Sequence, residues 1–167
     1  MMKKENITLI GMPGAGKSTV GVVLAKMAGY RFLDSDLVIQ EETGKLLHQL
    51  IEEYGREGFL EIEGRVNAGL EVRRTVIATG GSVVYEENAM KHLGEISQIV
   101  YLKLPYEELE WRLGNLNQRG VVLRQGETLK ELYEERTSLY EKYADITVDT
   151  SNLGIQEAAK EILKRIQ

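Results

Sequence analysis

Two short stretches of this chain carry residue types spaced for phosphate chemistry. Gly11-Met12-Pro13-Gly14-Ala15-Gly16-Lys17-Ser18 matches a glycine-rich phosphate-binding loop at every required position. At average residue frequencies, a chance match in a chain of this length has odds of about one in a hundred. Glycines let the backbone curl so that several N–H groups point inward at an anion. The positive end of a following helix adds to that field. Lys17 is expected to reach the β- and γ-phosphates of a nucleotide, and Ser18 to offer its hydroxyl to Mg2+. Gly11, Gly14, Ala15, Gly16 and Thr19 supply the remaining expected contacts of this loop.

The second stretch is Asp34-Ser35-Asp36. Residues two apart on an extended turn can aim both carboxylates into one pocket. One can order Mg2+ or its waters, and the other can accept a proton from a substrate hydroxyl. The alternative role for Asp36 is to cap a helix beginning at Leu37.

These residues need elements to hold them. Ile7 to Ile10 reads as a short buried strand ended by Gly11. Lys17 to Ala28 reads as a helix with Val20, Val23, Leu24 and Met27 on one face. Arg31 to Asp34 is a second strand. Leu47, Leu50, Ile51 and Tyr54 have helical spacing, and Gly55 stops that helix. A further helix is expected from about Glu57 to Arg73. Val76 to Ala78 and Ile99 to Leu104 are strands, and Pro105 opens a helix at its first turn. The segment 114–126, rich in Gly, Asn and Gln, is a loop. Thr128 to Ala144 is helical, Ile146 to Val148 is a last strand, and a terminal helix carries the stripe Ile155, Ala158, Ala159, Ile162, Leu163 and Ile166. Short apolar strands separated by helices imply βαβ crossovers and an α/β fold. A parallel sheet of about five strands covered by helices on both faces is expected. In such folds ligands sit beyond the carboxyl ends of the strands.

Composition narrows the chemistry. The chain has 167 residues, 43% hydrophobic and 28% charged, which suits one globular domain over 1–167. It has no cysteine and only His48 and His92, so thiol nucleophiles, iron–sulfur centres and thiolate zinc sites are excluded. The net charge of −5 argues against nucleic acid or an anionic membrane as partner. No apolar run is long enough to cross a bilayer. The start, Met1-Met2-Lys3-Lys4-Glu5-Asn6, does not read as a signal peptide, so a cytoplasmic protein is expected. A monomer acting on a small molecule is the corresponding expectation for partners.

Arg136 stands out on its helix, because it shares a face with Leu129, Leu132, Tyr133, Tyr140 and Tyr143. A guanidinium pointing inward needs an anion. That anion is either a carboxylate of the protein or one on a substrate. Switch GTPases, motors and kinases all use phosphate-binding loops. The guanine-reading tetrapeptide Asn-Lys-x-Asp is missing here, as is a strand of four apolar residues ending in Asp. A small-molecule kinase with a lid fits better.

The chain resembles the shikimate kinase family over nearly its whole length. The likeness rests on the phosphate loop, on Phe32-Leu33-Asp34-Ser35-Asp36, and on Thr43-Gly44. It continues through Gly55 with Phe59 and Glu63, Ala78-Thr79-Gly80-Gly81, Glu135-Arg136 before Leu139-Tyr140, and Ala144-Asp145. The resemblance implies a three-layer P-loop kinase fold with a mobile lid at about 114–126. It implies ATP and Mg2+ as cofactors, with Asp34 helping to hold the metal. Asp36 would bind the acceptor hydroxyls and act as base. Gly80 and Gly81 would offer backbone N–H groups to the substrate, and Arg136 would bind its carboxylate. Arg119, in the lid, would neutralise the transferring phosphate. Arg112 would lie against the adenine, with Asn152 a further nucleotide contact.

The departures from the family fall in the acceptor half and the lid. Where the family has an arginine after the phenylalanine, this chain has Leu60. Losing one charge-assisted pair costs about 1.5–3 kcal/mol, roughly 10- to 150-fold in affinity. Arg56, one helical turn earlier, can reach the same space. Glu57 and Glu61 nearby read as a solvated helix face. Ser82 replaces a third glycine, and the lid reads Arg119-Gly120-Val121-Val122 with Arg124 as a second cation. Phosphoryl transfer to shikimate is therefore expected. A different small hydroxy acid or polyol, and a nucleotide-binding regulator without catalysis, are the alternatives.

Overall fold

A computed structural model describes residues 4–114 and 126–166 of the protein. Five strands, β1 (Asn6–Ile10), β2 (Arg31–Asp34), β3 (Thr75–Ala78), β4 (Ser97–Lys103) and β5 (Ile146–Asp149), form one sheet in the order β2-β3-β1-β4-β5. Every pairing is parallel. The chain order reverses around β1, so the loop after β1 opens at the switch point where ligands bind.

Strand residues alternate between two cores, as the period of two requires. Ile7, Leu9, Val100 and Leu102 face helices α1 (Lys17–Ala28) and α7 (Ile155–Arg165). Ile10, Ile99 and Tyr101 face the opposite layer. That layer is built from α4 (Glu87–Ile96), α5 (Tyr106–Gly114) and α6 (Leu129–Tyr143). With both faces covered, the strands can be apolar throughout. A third cluster, Ile39, Leu50, Phe59 and Val66, joins α2 (Ser35–Thr43) to α3 (Leu47–Ala68). This pair of helices forms the wall that faces the phosphate loop.

The elements match the sequence reading except at a few places. Gly55 does interrupt its helix, with φ 72° and ψ −179°, so α3 consists of two helical runs across a kink. The second run ends at Ala68 and not near Arg73, because the chain turns at Gly69. Leu70 and Val72 lie in a non-helical segment packed against the core. Helix α4 and the 3-10 turn Val83–Tyr85 were not anticipated. Met27 is 39% exposed, and the buried face of α1 instead includes Gly21 and Ala25. Thr128 caps α6 by accepting a hydrogen bond from the Glu131 N–H at 3.1 Å. Among the described residues no helix is long and apolar enough to cross a membrane.

Candidate active site

A cavity of about 770 Å3 opens beyond the carboxyl ends of the strands. Gly14, Gly16, Lys17, Ser18 and Thr19 line one side, and Asp36, Glu63, Gly80, Gly81 and Arg136 line the other. The two halves recognised in the sequence thus share one space.

On the first side, Gly14 (φ 88°) and Gly16 (φ 93°) adopt left-handed backbone, which a side chain would strain. Gly16 is also the N-cap of α1, so the curled loop delivers its N–H groups to the positive end of that helix. Lys17 is buried, and its ammonium donates to the carbonyls of Gly11 (2.7 Å) and Met12 (2.9 Å). Burial lowers its pKa to about 8, against the raising influence of Asp36. The lysine is thus folded back over its own loop, held by two neutral acceptors that an anion can replace.

The Ser18 hydroxyl donates to Asp34 Oδ2 at 3.2 Å. The other oxygen of Asp34 accepts from the Asp36 N–H at 2.9 Å, making Asp34 the N-cap of α2. The helix therefore starts at Ser35, and the cap is Asp34, not Asp36. Asp36, in the first turn, is left with its carboxylate free to face the cavity. The paired oxygens of Ser18 and Asp34 suit a hard cation such as Mg2+. That ion keeps several waters and takes further oxygens from a nucleotide. Among the described residues no group of three or more His, Cys, Asp or Glu forms a separate metal cage.

Arg112 donates to the Gly14 carbonyl at 2.8 Å and to Glu108 at 2.7 Å, placing its plane at the loop's outer rim. Trp111, 70% exposed, lines the same end of the cavity. Sequence reasoning passed over it, although the chain's one Trp, next to Arg112, is a readable signal. Asn152 sits exposed in the turn after β5 with φ 63° and is not among the cavity-lining residues. Arg119, Arg124 and nearly all of the lid expected at 114–126 lie outside the described residues.

On the acceptor side, burial and then the nearby Asp34 raise the pKa of Asp36 to about 6, with Lys17 pulling the other way. Near neutral pH it is ionised yet basic enough to take a proton. Gly80 lies between two carboxylates. A Cβ there would come within 2.6 Å of Glu63 and 2.8 Å of Asp36. Gly81 is similarly crowded by Pro13 and by an Arg136 nitrogen. Tyr140, fully buried, donates its hydroxyl to the Gly81 carbonyl at 2.6 Å and pins this turn.

Glu63 had no assigned role, yet it is 1% exposed and lines the cavity. Its position one helical turn after Phe59 was the available clue. Burial pushes its pKa up to about 7, and the hydroxyl of Ser82, donating at 2.5 Å, counters part of that rise. The serine that replaces a third glycine thus engages Glu63.

Arg136 is inward as expected, 1% exposed, one turn from both Leu132 and Tyr140. Arg56 is 18% exposed and donates to Glu57 at 2.6 Å. It stands beside the cavity without lining it. Leu60 is buried in the protein interior, and Glu57 and Glu61 lie on an exposed face.

The shikimate kinase family model matches residues 13–167. The shikimate kinase of Thermodesulfovibrio yellowstonii is 36% identical over 166 residues, spanning 98% of this chain and 95% of the relative. That of Persephonella marina is 33% identical over 164 residues, spanning 98% and 99%. A solved structure of shikimate kinase from Acinetobacter baumannii in complex with shikimate has a TM-score of 0.87 at 33% identity. It covers 96% of this chain and 91% of that one. The match over nearly the whole length, at these identities, shows that this chain belongs to the shikimate kinase family.

Proposed function

We propose that this chain transfers the γ-phosphoryl group of ATP to a hydroxyl of shikimate, giving shikimate 3-phosphate. The observation that carries the reading is the single cavity with a phosphate-binding loop on one side and Asp36, Gly80, Gly81 and Arg136 on the other. Lys17 leaves the carbonyls of Gly11 and Met12 to contact the phosphates. Ser18 and Asp34 hold Mg2+, which when bound neutralises charge on the phosphate oxygens. Gly80 and Gly81 present backbone N–H groups to the acceptor, and Arg136 takes its carboxylate. Asp36 receives the proton of the attacking hydroxyl. Thr19 and Arg112 complete the nucleotide side. Arg119, on the family resemblance, is the cation that neutralises the transferring group. Most of the acceleration in such a site comes from positioning and charge neutralisation.

One domain over 1–167, working as a monomer in the cytoplasm, is part of this reading. A second reading, a different hydroxy acid or polyol as acceptor, draws on Leu60, which removes a cation from the acceptor side. The deciding assay is ADP release from Mg·ATP with and without shikimate, up to high millimolar. Shikimate-dependent release is the expected result. Protein that binds ATP yet shows no dependence on shikimate refutes the acceptor, and a panel of hydroxy acids and polyols then identifies the alternative.

A further inference from the structure

Arg56 comes from α3 and Arg136 from α6, yet both guanidinium groups stand over one ring. Their central carbons lie 5.2 Å and 5.5 Å from the centroid of Tyr85. Both distances fall within the roughly 6 Å reach of a cation–π contact. The gap between the two cations cannot exceed the sum of these distances. Arg136 is buried, and Arg56 and Tyr85 are half-buried, so water screens their repulsion only in part. The electron-rich ring offsets part of that repulsion and holds each plane in place.

Tyr85 is itself fixed relative to the cavity. It closes the 3-10 turn Val83–Tyr85, and its N–H donates to the Ser82 carbonyl at 3.1 Å. That turn follows directly on Gly80 and Gly81, which Tyr140 pins from the other side. A shift of the ring would therefore move the two cations relative to the glycine pair. Glu57, which holds Arg56 now, is 83% exposed, and such a surface pair is weakly held in water.

Resting on the acceptor reading above, we propose that Tyr85 is a positioning residue that sets the spacing of Arg56 and Arg136 so that together they receive the acceptor carboxylate. Arg56 exchanges Glu57 for that carboxylate, and supplies from one helical turn earlier the cation that Leu60 does not. A two-cation seat favours a hydroxy acid over an uncharged polyol, because only the former gains from the second guanidinium.

The test is steady-state kinetics with shikimate on wild type, Tyr85→Leu, Tyr85→Phe and Arg56→Ala. Tyr85→Leu and Arg56→Ala are expected to raise KM for shikimate about tenfold, with KM for ATP unchanged. Tyr85→Phe, which keeps the ring, is expected to stay within about twofold of wild type. In Tyr85→Leu, adding Arg56→Ala should cost far less than it does alone, since the two act as a unit. Wild-type KM in Tyr85→Leu overturns the proposal, as does equal loss in the Leu and Phe variants. Arg56→Ala, on a largely solvent-facing segment, keeps the proposal falsifiable if Tyr85→Leu folds poorly. Unchanged KM there also overturns it. Absence of shikimate-dependent turnover in wild type would instead refute the proposed function, and this inference with it.

Discussion

Replacing Asp36 by Asn should make the protein more stable and nearly inactive. Burial, then Asp34, raise the carboxyl from 3.8 to about 6. That value already includes the opposing pull of Lys17. The folded protein therefore binds this proton more tightly than the unfolded chain, and ionising it opposes folding. The cost is absent below pH 3.8, grows as pH rises and is complete above about pH 6. At pH 8 it amounts to about 3 kcal/mol, falling to about 1 kcal/mol at pH 4.5. For a chain of this size, 3 kcal/mol corresponds to a rise in Tm of about 6–12 °C. Loss of the proton acceptor should lower kcat by about 100- to 10,000-fold. Thermal melts of wild type and variant at pH 8 and 4.5, with ADP release at pH 8, test both halves. A variant no more stable than wild type at pH 8, or a gap that fails to narrow at pH 4.5, refutes the burial argument. Retained turnover refutes the role as base.

Lys17→Met should lower turnover by at least about 100-fold while far-ultraviolet circular dichroism stays native, and wild-type rates in that variant would contradict the phosphate-loop assignment. Gly80→Ala places a Cβ within 2.6 Å of Glu63 and 2.8 Å of Asp36. It should cut kcat/KM for the acceptor about tenfold or more, with nucleotide affinity, read by titration calorimetry, left intact. Tyr140→Phe leaves the Gly81 carbonyl without its buried donor. Denaturant unfolding should show a loss of about 1–3 kcal/mol with an unchanged m-value.

Much of the nucleotide half was legible because its determinants are contiguous. Gly14, Gly16, Lys17 and Ser18 need only a strand before them and a helix after them, and backbone sterics then dictate the curl. Alternating apolar strands and striped helices likewise announced a parallel sheet covered on both faces. Arg136 betrayed its burial through Leu132 and Tyr140, one helical turn away on either side. These inferences depend on periods of two and 3.6 residues, which local geometry imposes whatever the tertiary contacts.

What packing alone decided lies in encounters between distant segments. Ser82 meets Glu63 across 19 residues, and Tyr140 meets Gly81 across 59. Tyr85 meets its two cations only because α3 and α6 converge on its ring. The capping role passed from Asp36 to Asp34 because helix α2 starts two residues earlier than its apolar pattern suggests. The folded-back Lys17 depends on carbonyl positions that only the completed loop defines. Sequence determined which residues could do chemistry and which faces would be buried. The tertiary structure decided which of them touch, because side-chain proximity across a sheet is set by strand order and helix packing rather than by spacing along the chain.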